Sequence, residues 1–170
     1  MPISLYSISI PVFLKHLHTL QKLLAKGVAH AEDAGNELTK EKLVGAKLIE
    51  DMGDLVYQIQ RVSDTAKGFA VRVAKIEAVA LADDEKTLED LQKRIAKTIE
   101  ILERVKEEDV DDKEDAEVVF QTRQGDLKFT GQSYTTTFAL PNFYFHFVTA
   151  YALLRKEGVD VGKNDYLGRN

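Results

Sequence analysis

Met52, Leu55, Ile59, Val62, Ala66, Phe69 and Val73 fall at alternating steps of three and four residues. That spacing predicts a helix over Met52–Ala74 with one face in a core and Asp51 as its N-cap. Such a helix gains most of its stability from packing, so the rest of the chain must supply the other walls. Gln58 and Thr65 stand beside the stripe and are candidates to look into a pocket. Gln60, Arg61, Ser63, Asp64 and Lys67 read as outward or edge positions.

Three further segments carry helical spacing. The first runs over Leu5–Ala29, where Pro11 must kink the helix or restart it. His16 and His18 project about 200° apart on that helix, so they cannot share a metal. With His30 near the helix end, they read as rim or surface residues. Ala31–Lys47, with Gly35, Asn36 and Gly45, reads as a connection holding one short helix. After a polar link over Leu81–Lys86, Thr87 and Asp90 form a capping-box pattern that opens a third helix to about Lys106. The acidic run Glu107–Asp115 then reads as a solvated loop. Val118, Phe120 and Thr122, then Leu127 and Phe129, alternate with polar residues around Gly125, which is a β-hairpin signal. The fourth helix starts near Ser133 and stops before Gly158, with a bend expected at Pro141. Val161–Asn170 reads as extended or irregular chain, docked through Tyr166 and Leu167. The expected fold is all-α: a four-helix bundle with a small hairpin between the third and fourth helices. It forms one domain over 1–170, with 159–170 as a docked tail.

Composition removes several functions. The chain has 170 residues and a net charge of −5 without a compact basic block, so nucleic acid is not expected as a partner. It has no cysteine, which excludes disulfides, thiolate metal sites and a cysteine nucleophile. No uncharged apolar run is long enough to span a bilayer, and no basic stretch precedes the apolar start as in a signal peptide. No membrane association is expected, and a cytoplasmic location is the default.

The most aromatic stretch is Ala139–Arg155, reading ALPNFYFHFVTAYALLR. Asn142 and His146 lie four apart within it, one turn above each other on one helix face. Two stacked polar side chains in an apolar wall need partners, either from a ligand or from a neighbouring helix.

The segments SISIPVFLKHL, DMGDLVYQIQRVSDTAKGF and GQSYTTTFALPNFYFHFVTAYALLRKEGVDVGKNDYLG resemble an uncharacterised microbial family within the DinB/YfiT-like superfamily. The resemblance implies a four-helix bundle, often dimeric, in which several members hold a metal by three histidines. One of those histidines sits on the second helix and two form an H-x-x-x-H pair on the fourth. Aligned on the LLRKEG ending, the pair falls on Asn142 and His146, and the remaining ligand falls near Gln58. One histidine of three is kept, so the resemblance implies a degenerate metal site. By analogy with superfamily members that work with small thiol cofactors, an enzyme would transfer or isomerise small substrates.

Zinc-type sites need three or four imidazole, thiolate or carboxylate ligands. His146 has only amides beside it, and carboxylates such as Asp54 or Asp64 are not at a motif spacing, so no metal ligand is assigned. The expected site is a metal-free pocket between helices two and four. His146 is its candidate catalytic acid or base, and Asn142, Gln58 and Tyr151 are ligand-binding residues. Phe143, Tyr144 and Phe145 would complete the wall. No cofactor is expected, and no phosphate loop or nucleophile elbow is present. The same polar residues could instead form an interhelical network beside Pro141. Two other readings stand beside the pocket. One is a divalent-metal enzyme of the superfamily type. The other is a non-catalytic homodimeric module, with an apolar patch at Val118, Phe120 and Phe129 or on the first helix; a homodimer is the expected assembly under each of the three readings.

Overall fold

The structure, a computed structural model, describes residues 3–33, 35 and 38–169, so Asn36 of the first connection lies outside the described residues. Helix α1 spans Ile10–Glu32 and carries Pro11 in its first turn, where a missing N–H costs no helical bond. The helix therefore starts at this proline rather than kinking there. A short α2, Lys40–Val44, interrupts the following connection. Helix α3 spans Leu55–Arg72 and is capped by Asp54, not Asp51: its carboxylate accepts the Tyr57 N–H at 2.9 Å. Helix α4, Leu88–Leu102, opens with the Thr87/Asp90 capping box. The acidic run is not wholly a solvated loop. It forms a helical turn, α5 (Glu107–Val110), which buries Val110 completely.

Strands β1 (Glu117–Thr122) and β2 (Gly125–Thr130) pair antiparallel, with Val118 opposite Phe129 and Phe120 opposite Leu127. A two-stranded ribbon needs a surface to lean on. This one leans on its own chain: Phe120 packs on Phe138 with ring centroids 4.9 Å apart, and Phe129 on Tyr134 at 5.6 Å. Val118 is buried as well. The apolar hairpin face is thus covered within the chain and does not form the exposed patch the sequence suggested.

The last long helix is a composite. A first turn, α6 (Gly131–Ser133), leads into a π-helical turn over Tyr134–Ala139 and then α7, Leu140–Lys156. The Leu140 N–H reaches back five residues to the Thr135 carbonyl. Pro141 cannot donate and would crowd the carbonyl four residues back in an α-turn. A wider turn just before it relieves that crowding. Thr135, Thr136 and Thr137 donate their hydroxyls to the carbonyls of Gly131, Gln132 and Ser133 at 2.7, 2.9 and 2.6 Å. Such back-bonding compensates loosened backbone pairing and bends helices. At the entrance, a Cβ on Gly131 would run into the Lys113 backbone carbonyl. The Gly131 and Gln132 N–H groups also bond the Ala116 and Glu114 carbonyls at 2.9 Å each. The tail is helical rather than extended: α8 (Lys163–Tyr166) stacks Tyr166 on Phe147 with centroids 4.8 Å apart.

Helix α1 packs against α4 and α7, and α3 packs against the same two, so the four long helices close a ring around one core. Phe13 marks its centre, 5.4 Å from Phe69 and 5.0 Å from Phe143 between ring centroids. None of the described helices is long and apolar enough to cross a membrane.

Candidate functional site

Helices α3 and α7 run antiparallel, with the π-turn continuing α7 towards its start. Gln58 faces His146, Thr65 faces Asn142, and Arg72 faces Tyr134. Tyr134, Phe138, Asn142 and His146 follow at steps of four. In a regular α-helix that step drifts about 40° each time. The wider π-turn reduces the drift and holds these four side chains along one groove.

The hydrogen bonds at the His146 end fix the tautomer. The Gly53 carbonyl can only accept, so the Gln58 amide nitrogen faces it, donating at 2.9 Å. Gln58 Oε1 is then turned to His146 Nδ1, 2.8 Å away, and Nδ1 must be the donor. Nε2 keeps its lone pair and has no hydrogen-bond partner among the described residues. Burial, and secondarily the Arg61 guanidinium, lower the imidazole pKa to about 4, so the ring is neutral at pH 7. One turn earlier, Thr65 donates its hydroxyl to the Arg61 carbonyl at 2.7 Å and accepts from Asn142 Nδ2 at 2.7 Å. Asn142 Oδ1 is left as a second acceptor on the same face.

Both residues line a cleft of about 610 Å³ between α3, α7, the hairpin and the chain after α3. Its apolar wall is Tyr57, Phe120, Tyr134 and Phe138 together with Val71 and Val79. Arg61, Asp64, Lys67 and Arg72 add charges along the α3 edge. Volume, aromatic lining and a few fixed polar groups are the usual build of a small-molecule site.

Sequence spacing located part of this site and misjudged the rest. Gln58 bonds His146 and stands behind it rather than in the cleft wall, and Asn142 bonds Thr65 one turn away. Tyr151 does not join them. Its ring packs on Tyr166 at 5.6 Å and borders a separate depression with Asp160 and Lys163. The proposed aromatic wall is also different: Phe143 is fully buried in the core, Tyr144 packs on His16, and Phe145 is half exposed outside. Arg61, Asp64 and Lys67, read as outward or edge positions, stand on the edge of the cleft and line it. Arg72, Tyr134 and Phe138 were not singled out, although the steps of four leading to His146 were a usable signal.

The metal implied by the superfamily does not fit these residues. His146 offers one imidazole nitrogen beside an amide oxygen, and Gln58 spends its oxygen on the ring. Asp54 caps α3, and Asp64 is held by Arg61, Lys67 and Arg94. No group of three His, Cys, Asp or Glu residues placed to hold a metal exists among the described residues.

No curated protein matches the chain. Among solved structures, it is similar to a DinB family member protein from Shewanella denitrificans: 35% identity, TM-score 0.86, covering 96% of this chain and 92% of that one. Residues 5–167 match the model of a domain of unknown function, DUF1993. The chain therefore belongs to the DUF1993 family and has the DinB-like helical fold.

Proposed function

We propose that this protein binds a small organic molecule in the α3–α7 cleft, with His146 Nε2 accepting a hydrogen bond from it. The observation behind this reading is the Gly53–Gln58–His146 chain, which spends two side-chain groups to keep one imidazole nitrogen unprotonated at the cleft. The same bond ties α7 to α3, as a structural histidine would, and the bias it sets also leaves Nε2 as an acceptor. A ligand bearing an O–H or N–H gains a fixed acceptor, with Asn142 Oδ1 beside it. The lowered pKa of about 4 supports one of two roles. A base tuned for proton abstraction at neutral pH works best with a pKa near 7. A much weaker base accepts hydrogen bonds and stays neutral, so the binding role is favoured over general-base catalysis.

Phenol, a neutral donor of suitable size, serves as the probe. In a titration followed by nitrogen NMR it should shift the His146 Nε2 resonance. Replacing Gln58 with leucine frees the tautomer and should weaken phenol binding about fivefold, the size of one hydrogen bond. An unmoved resonance, or equal binding by the Gln58→Leu variant, would count against the reading.

A further inference from the structure

The charged residues lining the cleft are unbalanced. Arg61, Lys67 and Arg72 are cationic, and Asp64 is the one carboxylate among the lining residues. Asp64 is already shared, with Arg61 at 2.9 Å, Lys67 at 3.3 Å and Arg94 at 2.9 Å. Arg72 has no ion pair among the described residues. Its guanidinium is nonetheless held in place: one nitrogen donates to the Tyr134 hydroxyl at 3.1 Å, and Cζ lies 4.4 Å from the Phe120 ring centroid. A fixed planar guanidinium with unused N–H groups matches a carboxylate or phosphate, which it can bind through two parallel hydrogen bonds.

The spacing along α3 adds the ligand's length. Thr65, level with Asn142, and Arg72 are seven residues apart, or about 10 Å along the helix. Phe138 lines the cleft between those levels, and Tyr134 lines it at the level of Arg72. We infer that the ligand is an organic oxyanion, with its carboxylate or phosphate on Arg72, an aromatic or apolar middle, and a donor group at the Asn142–His146 end. This rests on the cleft reading above and names the ligand class for it. Arg72 would be the residue that selects for charge.

Three probes of matched shape separate the two ideas: para-hydroxyphenylpropionate, its neutral amide, and tyrosol phosphate. Binding is read by calorimetry and by the His146 nitrogen resonances. The wild-type protein should bind the carboxylate or the phosphate at least about tenfold tighter than the amide, the size of one charged hydrogen-bonded pair. The tighter of the two names the headgroup. Arg72→Met keeps the packing on Phe120 and should erase that preference, anion binding falling to the level of amide binding in the same variant. Arg72→Lys should restore part of it. Equal binding of amide and anions, with His146 shifted by all, would overturn the inference and leave the cleft standing. Unchanged anion binding in Arg72→Met would also overturn it. If no probe moves His146, both ideas fail. Should Arg72→Met unfold, the wild-type preference and the lysine variant still decide.

Discussion

Replacing Arg94 with methionine should cost about 3 kcal/mol or more in urea unfolding, the usual loss when one partner of a buried ion pair is removed. The Arg94 side chain is 1% exposed and reaches from α4 to three acids on two other segments. It donates to Glu85 at 2.7 Å, to the Ala82 carbonyl at 2.9 Å, and to Asp64 at 2.9 Å. Burial alone would disfavour its charge, yet the Glu85 hydrogen bond and the fields of Asp64, Glu85 and Asp83 outweigh it and raise its pKa. The acids do not suffer equally on its removal. Asp64 keeps Arg61 and Lys67, and half-exposed Asp83 keeps Arg61. Glu85, 8% exposed, keeps the neutral Gln60 amide but no cation among the described residues. Adding Glu85→Gln to Arg94→Met should therefore recover more than half of the loss. A full recovery by Arg94→Lys would contradict this account, because a single ammonium cannot serve separate carboxylates and a carbonyl with a planar fork. The variant should also weaken probe binding, since Arg94 holds the 73–87 connection whose Ala78 and Val79 line the cleft.

Stability should fall as pH drops from about 6.5 towards 4, by at most about 3 kcal/mol from His146 alone. The unfolded chain takes up a proton on this imidazole near pH 6.5, whereas the folded one resists until about 4. A depressed folded-state pKa places the stabilising contribution above the unfolded value and removes it as pH falls through the window between the two. His16, whose pKa burial also lowers despite its bond to the Val12 carbonyl, adds a change of the same sign. The His146→Gln variant isolates the larger contribution. Its stability should be flatter between pH 6.5 and 4 than that of the wild type, as measured by urea midpoints at half-unit intervals. Parallel curves would contradict a buried neutral imidazole.

Much of the frame was legible because it depends on local spacing. The stripe from Leu55 to Phe69 forms α3, the Thr87/Asp90 box opens α4, and the alternation around Gly125 forms the hairpin. The boundaries shifted where a competing group acted: Asp54 captured the cap expected of Asp51. The site was half legible. Asn142 and His146 show themselves as polar residues on an aromatic helix, but their partners come from another helix at long range. Phe138 and Tyr134 lie four and eight residues before Asn142, a spacing that regular helical counting already allows, and the π-turn keeps them on one groove over that length. Three consecutive threonines shortly before Pro141 were the available warning. Arg94 falls at Leu91+3, beside an apolar stripe, a position whose spacing signals burial.

The central claim is that His146 presents an unprotonated Nε2 to the cleft because Gln58 takes the proton-bearing Nδ1. Long-range proton–nitrogen correlation spectra of the imidazole, recorded from pH 7.5 down to 3.5, test it directly. The account predicts a single neutral tautomer protonated at Nδ1, titrating at about 4. A ring protonated at Nε2, or one that titrates near 6.5 like a free histidine, would contradict it.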